Sequence, residues 1–267
     1  MAFIEKLYNA FKPGILRGTK LLNPSETGRI DSSLIVIRQE DVNFYIYFKN
    51  DTHIAFDSGI GLKTDVYKEF EKVNFDSEKV SVVFFTHADI DHAGGMNVKG
   101  APIFKNAHIY AHKNEEGMLR GTARRTKVGP IAFKNPVNIL ENYSLLNDGQ
   151  IVKVGDIKIE VIYTPGHTKG HTSYIVDDEI LVLGDAMLIK DDGGYTFPKM
   201  FNVNSKEAME SAFKLKEACK DRNLKIILSG HSGFRTNVSN LFENINTFAK
   251  GTKKEPFDES APYDLFK

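Results

Sequence analysis

Four side chains of the kinds that bind metals stand within six residues, in the run His87-Ala88-Asp89-Ile90-Asp91-His92. Imidazole nitrogens and carboxylate oxygens are common ligands of zinc and related metals. The run directly follows Val80–Thr86, a continuous apolar segment that is typical of a strand buried on both faces. Side chains at the end of such a strand face the crevice in which α/β proteins bind ligands. We therefore predict that these four residues bind metal.

Three further candidate ligands repeat this context later in the chain, and they are His167, Asp185 and His231. Each follows a predicted strand and has a glycine directly before it, which lets the backbone approach closely. A single candidate ligand at a strand end would be a common coincidence, but four separate segments with candidate ligands at strand ends indicate one shared site. Two metals held close together can acidify a water and polarise a substrate oxygen.

Short segments rich in β-branched and aromatic residues predict the strands that position these side chains. They are Ser33–Gln39, Phe44–Lys49, His53–Asp57, Val80–Thr86, Ala107–Ala111, a hairpin over Ile151–Thr164, Thr172–Asp177, Ile180–Gly184 and Lys225–Ser229. Apolar spacing predicts helices over Leu62–Lys72, from a Ser205 cap to about Arg222, and from Ser239 through Phe248. The segment Asn114–Pro136 has no clear period, and we interpret it as a helical turn plus loops that cover a site. No linker divides the chain, which predicts a single domain over residues 1–267 with two packed sheets and outer helices.

The composition limits the classes of partner. The chain has 35 Lys and Arg against 35 Asp and Glu, so there is no electrostatic case for binding nucleic acid or a membrane. A short basic patch, Arg120, Arg124, Arg125 and Lys127, is interpreted as a solvated loop face. The one cysteine, Cys219, excludes an internal disulfide. We expect a cytoplasmic protein with a small-molecule substrate and leave its oligomeric state open.

Together these motifs resemble the metallo-β-lactamase superfamily over the span from Asp57 to His231. The family signature reads H-x-H-x-D-H, followed by a histidine, a bridging aspartate and a last histidine. The resemblance implies a mixed α/β (α+β) fold, a four-layer αββα sandwich of two mixed sheets with helices outside. Phe56-Asp57-Ser58-Gly59 resembles the family's early turn, whose aspartate supports the site, and His171 resembles a second supporting histidine.

The resemblance also implies a role for each candidate ligand. The first metal would be bound by His87, Asp89 and His167, and the second by Asp91, His92 and His231. Asp185 would bridge the two metals. The implied enzyme is a metal-dependent hydrolase in which the metals share a hydroxide, and Asp91 would be the catalytic residue that orients it. The sequence around His167 resembles that of the lactonase and glyoxalase-II-like branches, which implies an ester, lactone, thioester or amide substrate.

One position departs from the signature, because Asp89 stands where the second histidine is usual. A carboxylate is harder than imidazole and adds a negative charge. We expect the site to bind two divalent metal ions. Zinc is the expected metal, and Asp89 leaves iron or manganese as alternatives. The alternative functions are a diiron oxidoreductase related to the flavodiiron proteins, a phosphodiesterase, and a metal-binding module without turnover.

Overall fold

Short apolar segments form strands through the whole of the computed structural model, which describes residues 21–60, 66–96, 101–128 and 131–250. The strands up to residue 150 are β1 (Gly28–Arg29), β2 (Leu34–Gln39), β3 (Val42–Lys49), β4 (Thr52–Phe56), β5 (Val80–Phe84), β6 (His108–His112), β7 (Arg124–Val128), β8 (Ile131–Lys134) and β9 (Tyr143–Leu146). The later strands are β10 (Ile151–Val154), β11 (Ile157–Tyr163), β12 (Thr172–Val176), β13 (Ile180–Gly184), β14 (Met187–Lys190), β15 (Gly193–Thr196), β16 (Ile226–Ser229), β17 (Gly233–Arg235) and β18 (Asn244–Phe248).

Within the described residues, helical segments are few and short beside these strands. The α-helices are α1 (Val66–Lys72), α2 (Ile90–Ala93), α3 (Glu116–Leu119) and α4 (Ser205–Cys219). Turns of 3-10 helix cover Ser77–Lys79, Gly94–Met96, Lys113–Glu115 and Lys199–Phe201. None of the described helices is long and apolar enough to cross a bilayer.

The strands form two large mixed sheets and two small ones. The first sheet has the order β1-β2-β3-β4-β5-β6-β9 and the second has the order β10-β11-β12-β13-β16-β17. Strands β4, β5, β6 and β9 run parallel, as do β13 and β16, whereas the other pairs of these sheets are antiparallel. The small sheets are β14-β15-β18 and the hairpin β7-β8.

The two large sheets pack face to face through aromatic side chains. Tyr174 of the second sheet lies 5.7 Å from Phe56 and 5.5 Å from Phe84 of the first, measured between ring centroids. Phe70 of α1 is buried in a separate cluster with the outer side chains of the first sheet. Leu215 of α4 does the same on the second sheet. The predicted αββα sandwich is therefore confirmed.

The helix predicted from Ser239 to Phe248 is wrong. Residues 244–248 form β18, which pairs in parallel with β15. Asn244, Ile245, Asn246 and Thr247 all have low helix propensity, so pairing with the free edge of a sheet outweighs the apolar spacing that suggested a helix. The proposed stop at Gly251 lies outside the described residues.

Two other segments differ in detail from the sequence-based expectation. The interval Asn114–Pro136 contains the predicted helical turn, but β7 and β8 replace part of the predicted loops. Asn204, not Ser205, caps α4, because its side chain accepts hydrogen bonds from the backbone N–H groups of Lys206 and Glu207. The helix predicted over Leu62–Lys72 is confirmed from Val66 onward, and residues 62–65 lie outside the described residues.

Parallel pairing brings the functional segments to one edge of the sandwich. Asp57 follows β4 and His87 lies just after β5, and these neighbouring strands run in the same direction. Asp185 directly follows β13 and His231 lies just after β16, the parallel pair of the second sheet. The carboxyl ends of parallel strands lie at the same edge, so both sheets present their candidate ligands to a common crevice.

Candidate metal centre

The structure brings the seven predicted ligands together at this edge. One group consists of His87, His167 and Asp185, and a second consists of Asp91, His92 and His231. Within each group the ligand atoms lie within 4.8 Å of one another. Asp89 borders the first group, with Oδ2 at 3.5 Å from Nε2 of His87 and 3.3 Å from Nε2 of His167.

Asp185 belongs to the first group and also contacts the second. Its Oδ2 atom is 3.4 Å from Nε2 of His167 and 3.2 Å from Nε2 of His231. Its Oδ1 atom is 3.5 Å from Nε2 of His92. One carboxylate therefore touches a histidine of the first group and two histidines of the second, as a shared ligand would.

The spacing of these atoms fits a tetrahedral metal. Zinc–nitrogen and zinc–oxygen bonds of about 2.1 Å place tetrahedral ligands about 3.4 Å apart. The measured separations between a histidine Nε2 and a neighbouring carboxylate oxygen all lie between 3.2 and 3.5 Å. The residues present can therefore hold metal ions at both groups.

Hydrogen bonds fix the orientation of two histidines through Asp57. Its Oδ2 atom accepts from Nδ1 of His92 at 2.8 Å and from the Thr86 hydroxyl at 2.8 Å. Because the Thr86 hydroxyl donates to Asp57, it accepts from Nδ1 of His87 at 3.0 Å. Both rings therefore carry the proton on Nδ1 and present the Nε2 lone pair to the crevice. The supporting role that the resemblance implied for Asp57 agrees with these contacts.

Several of the inward-facing ligand atoms have no hydrogen-bond partner in the described part of the chain. Nδ1 of His231 donates to the Asp41 carbonyl at 2.5 Å, which also leaves its Nε2 atom facing the crevice. Among the described residues, buried side-chain atoms without a hydrogen-bond partner include Nε2 of His87, Nε2 of His92 and Oδ1 of Asp185. Buried polar atoms are normally paired, so a cluster of unpaired lone pairs points to a bound cation.

His171 supports the site without belonging to either ligand group. Its Nε2 atom accepts a hydrogen bond from the backbone N–H of Asp185 at 2.9 Å, and its Nδ1 atom lies 3.2 Å from the Thr164 carbonyl. Burial holds the pKa of His171 well below its usual value, so the ring is neutral. It therefore positions the backbone of Asp185, which agrees with the supporting role that the resemblance implied.

Charge pairing dominates the protonation of the second group. Burial alone would raise the pKa of Asp91, but the charges of His92 and His231 outweigh it and lower this pKa to about 2. Burial alone would lower the pKa of His92, but Asp185, Asp57 and Asp91 raise it to about 9. The three carboxylates that surround His92 therefore favour a cation at this position, and a metal ion would replace its proton.

Arg125 closes the first group from the other side. Its Nε atom donates to both Oδ1 and Oδ2 of Asp89 at 2.7 Å, and Nη2 donates to the Phe201 carbonyl at 2.9 Å. Burial would raise the pKa of Asp89, but the Arg125 charge and the neighbouring rings of His167 and His87 hold it well below its usual value. The interpretation of the basic patch as a solvated face is therefore wrong for Arg125, whereas Arg120 and Arg124 are exposed.

Glu115 is a buried carboxylate that joins two ligand loops. It accepts from the backbone N–H of Ala88 at 2.9 Å, the Thr168 hydroxyl at 3.0 Å and the backbone N–H of Gly170 at 2.8 Å. It therefore fixes the loop after His87 against the loop that carries His167. Sequence reasoning missed Glu115, because nothing distinguishes it from its neighbour Glu116 in a charged segment.

Aromatic side chains form an apolar wall beside the ligands. The Phe197 ring lies 4.8 Å from the ring of His167 and 5.9 Å from that of His231, measured between centroids. Phe201 contacts Phe197 at 6.0 Å, and the neighbouring Met200 is exposed. This wall can exclude water from the ligands and contact the apolar part of a substrate.

Replacing Gly230 with alanine is expected to disrupt the second group. An added Cβ atom would lie 2.5 Å from Oδ1 of Asp185 and 2.6 Å from Cε1 of His92, both held by other contacts. We expect metal affinity at this group to fall at least about tenfold, in the range seen when residues that support metal ligands are changed. Zinc titration measures this effect. Gly28→Ala is the control, since a Cβ at Gly28 has nothing within 4 Å.

Sequence comparisons relate the chain to a known family and to known hydrolases. The family model described as the metallo-beta-lactamase superfamily matches residues 37–231. A probable metallo-hydrolase of Methanocaldococcus jannaschii is 30% identical over 168 residues, which are 63% of this chain and 64% of that protein. The hydroxyacylglutathione hydrolase of Buchnera aphidicola subsp. Schizaphis graminum is 27% identical over 170 residues, 63% of this chain and 56% of that enzyme. The match thus spans less than two thirds of the length of either relative.

The fold of this chain is similar to that of solved metallo-β-lactamase structures. A B3 metallo-β-lactamase described as the first with an active-site glutamic acid superposes with a TM-score of 0.60 and 15% sequence identity. The superposition covers 88% of this chain and 89% of that one. Because the family model spans most of the 267 residues and the four-layer fold agrees with it, the chain belongs to the metallo-β-lactamase superfamily.

Proposed function

We propose that the protein is a hydrolase that uses two divalent metal ions to cleave an ester, lactone, thioester or amide. Zinc is the proposed metal. The observation that carries this proposal is the position of Asp185, whose carboxylate touches histidines of both ligand groups. The proposed ligands of the first metal are His87, Asp89 and His167, and those of the second are Asp91, His92 and His231. When bound, the metals would supply an acidified water and polarise the substrate oxygen.

The residues around the metals suit this chemistry. Asp91 is the most exposed of the three candidate carboxylate ligands, with 33% of its side chain accessible compared with 15% for Asp89 and 2% for Asp185. Its carboxylate therefore lies where an attacking water can enter, and it is the proposed catalytic residue. Phe197 and Phe201 would exclude other water and hold the apolar part of the substrate.

Two similar proteins favour a thioester among the substrate classes. The Buchnera relative is a hydroxyacylglutathione hydrolase, and so is a relative in Francisella philomiragia that is 27% identical over 151 residues. We propose a small acyl thioester as the first substrate class to test. A single domain over residues 1–267 and a cytoplasmic location stay predictions.

The test is a hydrolysis assay of zinc-loaded protein against one substrate of each class. An S-acyl glutathione, a nitrophenyl ester, an acyl lactone and a β-lactam represent the proposal, and bis-nitrophenyl phosphate represents phosphodiesters. We expect turnover of at least one acyl substrate and a loss of about 100-fold or more in Asp91→Asn, the scale on which general-base groups contribute. Asp148→Asn, which removes a remote surface carboxylate, is the matched control and should keep full activity. A zinc-loaded protein that turns over no acyl substrate would contradict the proposal.

A redox enzyme with an iron pair is the second candidate, and Asp89 favours it. A third carboxylate among the candidate ligands makes the set harder and better suited to iron or manganese. Metal analysis and visible absorption of protein purified without chelators separate the two candidates. Two iron ions with a visible absorption band would favour redox chemistry, whereas colourless zinc protein would favour hydrolysis.

A further inference from the structure

The ion pair between Asp89 and Arg125 lies beside the proposed first metal, and the hydrolytic mechanism above gives Arg125 no role. Both side chains are largely buried, with 15% of Asp89 and 20% of Arg125 accessible. Nε of Arg125 donates to both carboxylate oxygens at 2.7 Å. A pair this short and this well shielded from solvent is stronger than an ordinary surface ion pair.

The guanidinium group is fixed by three separate segments. Nη1 donates to the His167 carbonyl at 3.1 Å, and Nη2 donates to the Phe201 carbonyl at 2.9 Å. Nη2 also donates to Nε2 of His167 at 3.1 Å, so the positive charge stands at the wall of the first group. The planar, forked donor set of arginine makes these contacts simultaneously, which a lysine ammonium could not do.

The Oδ2 atom of Asp89 faces both the candidate histidine ligands and Arg125. Oδ2 approaches Nε2 of His87 and Nε2 of His167 at 3.5 and 3.3 Å, the separations expected between ligands of one metal. Nε of Arg125 donates to this same atom and to Oδ1, which is compatible with metal binding because each carboxylate oxygen has two lone pairs. Carboxylates that bind metals are commonly hydrogen-bonded by a neighbouring group that fixes their orientation.

Charge explains why this neighbour is a cation. Asp89 adds a negative charge to a site that already contains Asp91 and Asp185, with the buried Glu115 nearby. An unpaired carboxylate would repel these groups in a weakly screened environment. Arg125 carries one positive charge, so the Asp89–Arg125 pair has the net charge of a neutral imidazole.

We propose that Asp89 and Arg125 act as one unit, in which Asp89 supplies an oxygen ligand to the first metal and Arg125 fixes that oxygen and cancels its charge. Arg125 is thus a positioning residue, on the β7–β8 hairpin, for a ligand that follows β5. This inference rests on the proposed metal centre. It predicts that the two residues can be exchanged together more readily than singly.

The test is a zinc titration, in competition with a chelating dye, of wild type, Asp89→His, Arg125→Gln and the double variant. Asp89→His leaves the Arg125 charge without its carboxylate, and Arg125→Gln leaves the Asp89 carboxylate free and uncompensated. We expect each single change to weaken one of two zinc equivalents by about 10- to 100-fold, the usual effect of changing a residue that supports a metal ligand. The double variant, with a neutral imidazole and no excess cation, should bind within about tenfold of wild type, again on that scale.

Two further variants make the result specific. Arg124→Gln removes the same charge from an exposed neighbour on the hairpin and should leave both zinc equivalents unchanged. Arg125→Lys keeps the charge but loses the fork, so its affinity should lie between those of wild type and Arg125→Gln. If Arg125→Gln does not fold, Arg125→Lys replaces it in the zinc titration.

The outcomes separate this inference from the proposed function. A double variant as weak as the product of the two single losses would overturn the unit of Asp89 and Arg125 while leaving the metal centre in place. A folded wild-type protein that binds no zinc would refute the metal centre itself, and the role of the pair with it.

Discussion

Replacing Asp185 with asparagine is expected to lower kcat/KM by about 1000-fold, which corresponds to ~4 kcal/mol of transition-state stabilisation. The carboxylate is 2% exposed and touches His92, His167 and His231. Asparagine keeps its shape but removes the charge and one of the two oxygens that a shared ligand needs. Both ligand groups should therefore weaken at once.

Metal content and activity should fall together in this variant. We expect Asp185→Asn to retain less than one equivalent of zinc after dialysis while its circular dichroism spectrum stays that of wild type. Asp156→Asn changes an exposed turn carboxylate and is the matched control. Full activity of Asp185→Asn with unchanged zinc content would contradict the shared role of this carboxylate.

Removing metal is the second change with a large expected effect. Chelation should abolish hydrolysis and lower the Tm by about 10 °C, because a ligand at 1000 times its Kd stabilises the folded state by ~4 kcal/mol and each kcal/mol corresponds to a few degrees in a chain of this length. The physical reason is the set of unpaired buried atoms on His87, His92 and Asp185, which a cation would satisfy. Differential scanning calorimetry with and without chelator measures the shift.

The reversal of this effect is its control. Adding zinc back should restore both the Tm and the activity, whereas calcium, which prefers six to eight oxygen ligands, should restore neither. The Tm of Asp185→Asn should respond little to chelator, because that variant has little metal to lose. A wild-type Tm that is insensitive to chelator would contradict a structural contribution from bound metal.

The sequence indicated the position of the candidate ligands because strand ends are easily recognised. Val80–Phe84 and Ile180–Gly184 are short apolar runs of the length typical of strands, and His87 and Asp185 lie just past their ends. Each candidate ligand lies just past a strand end, and this shared position predicted that they meet in one crevice.

Long-range side-chain contacts could not be predicted in the same way. Arg125 looks like one member of a surface patch, and its contact with Asp89 depends on the β7–β8 hairpin folding back over the first group. Glu115 is similar, since its three hydrogen bonds join segments 27 and 55 residues away. Local sequence carries no signal for such pairing.

The helix prediction over Ser239–Phe248 was wrong for a different reason. Leu241 and Ile245 are both buried at a spacing of four, which fits a helix face, but the chain turns between them and enters β18. A sheet edge that needs a partner outweighed a weak local preference. The apolar spacing of a single segment does not predict tertiary pairing of this kind.

We infer that the seven side chains at this edge hold two metal ions, and elemental analysis tests this inference most directly. Protein purified without chelators and then dialysed against micromolar zinc should carry two equivalents of transition metal per chain. A folded preparation that takes up no transition metal under these conditions would contradict the account.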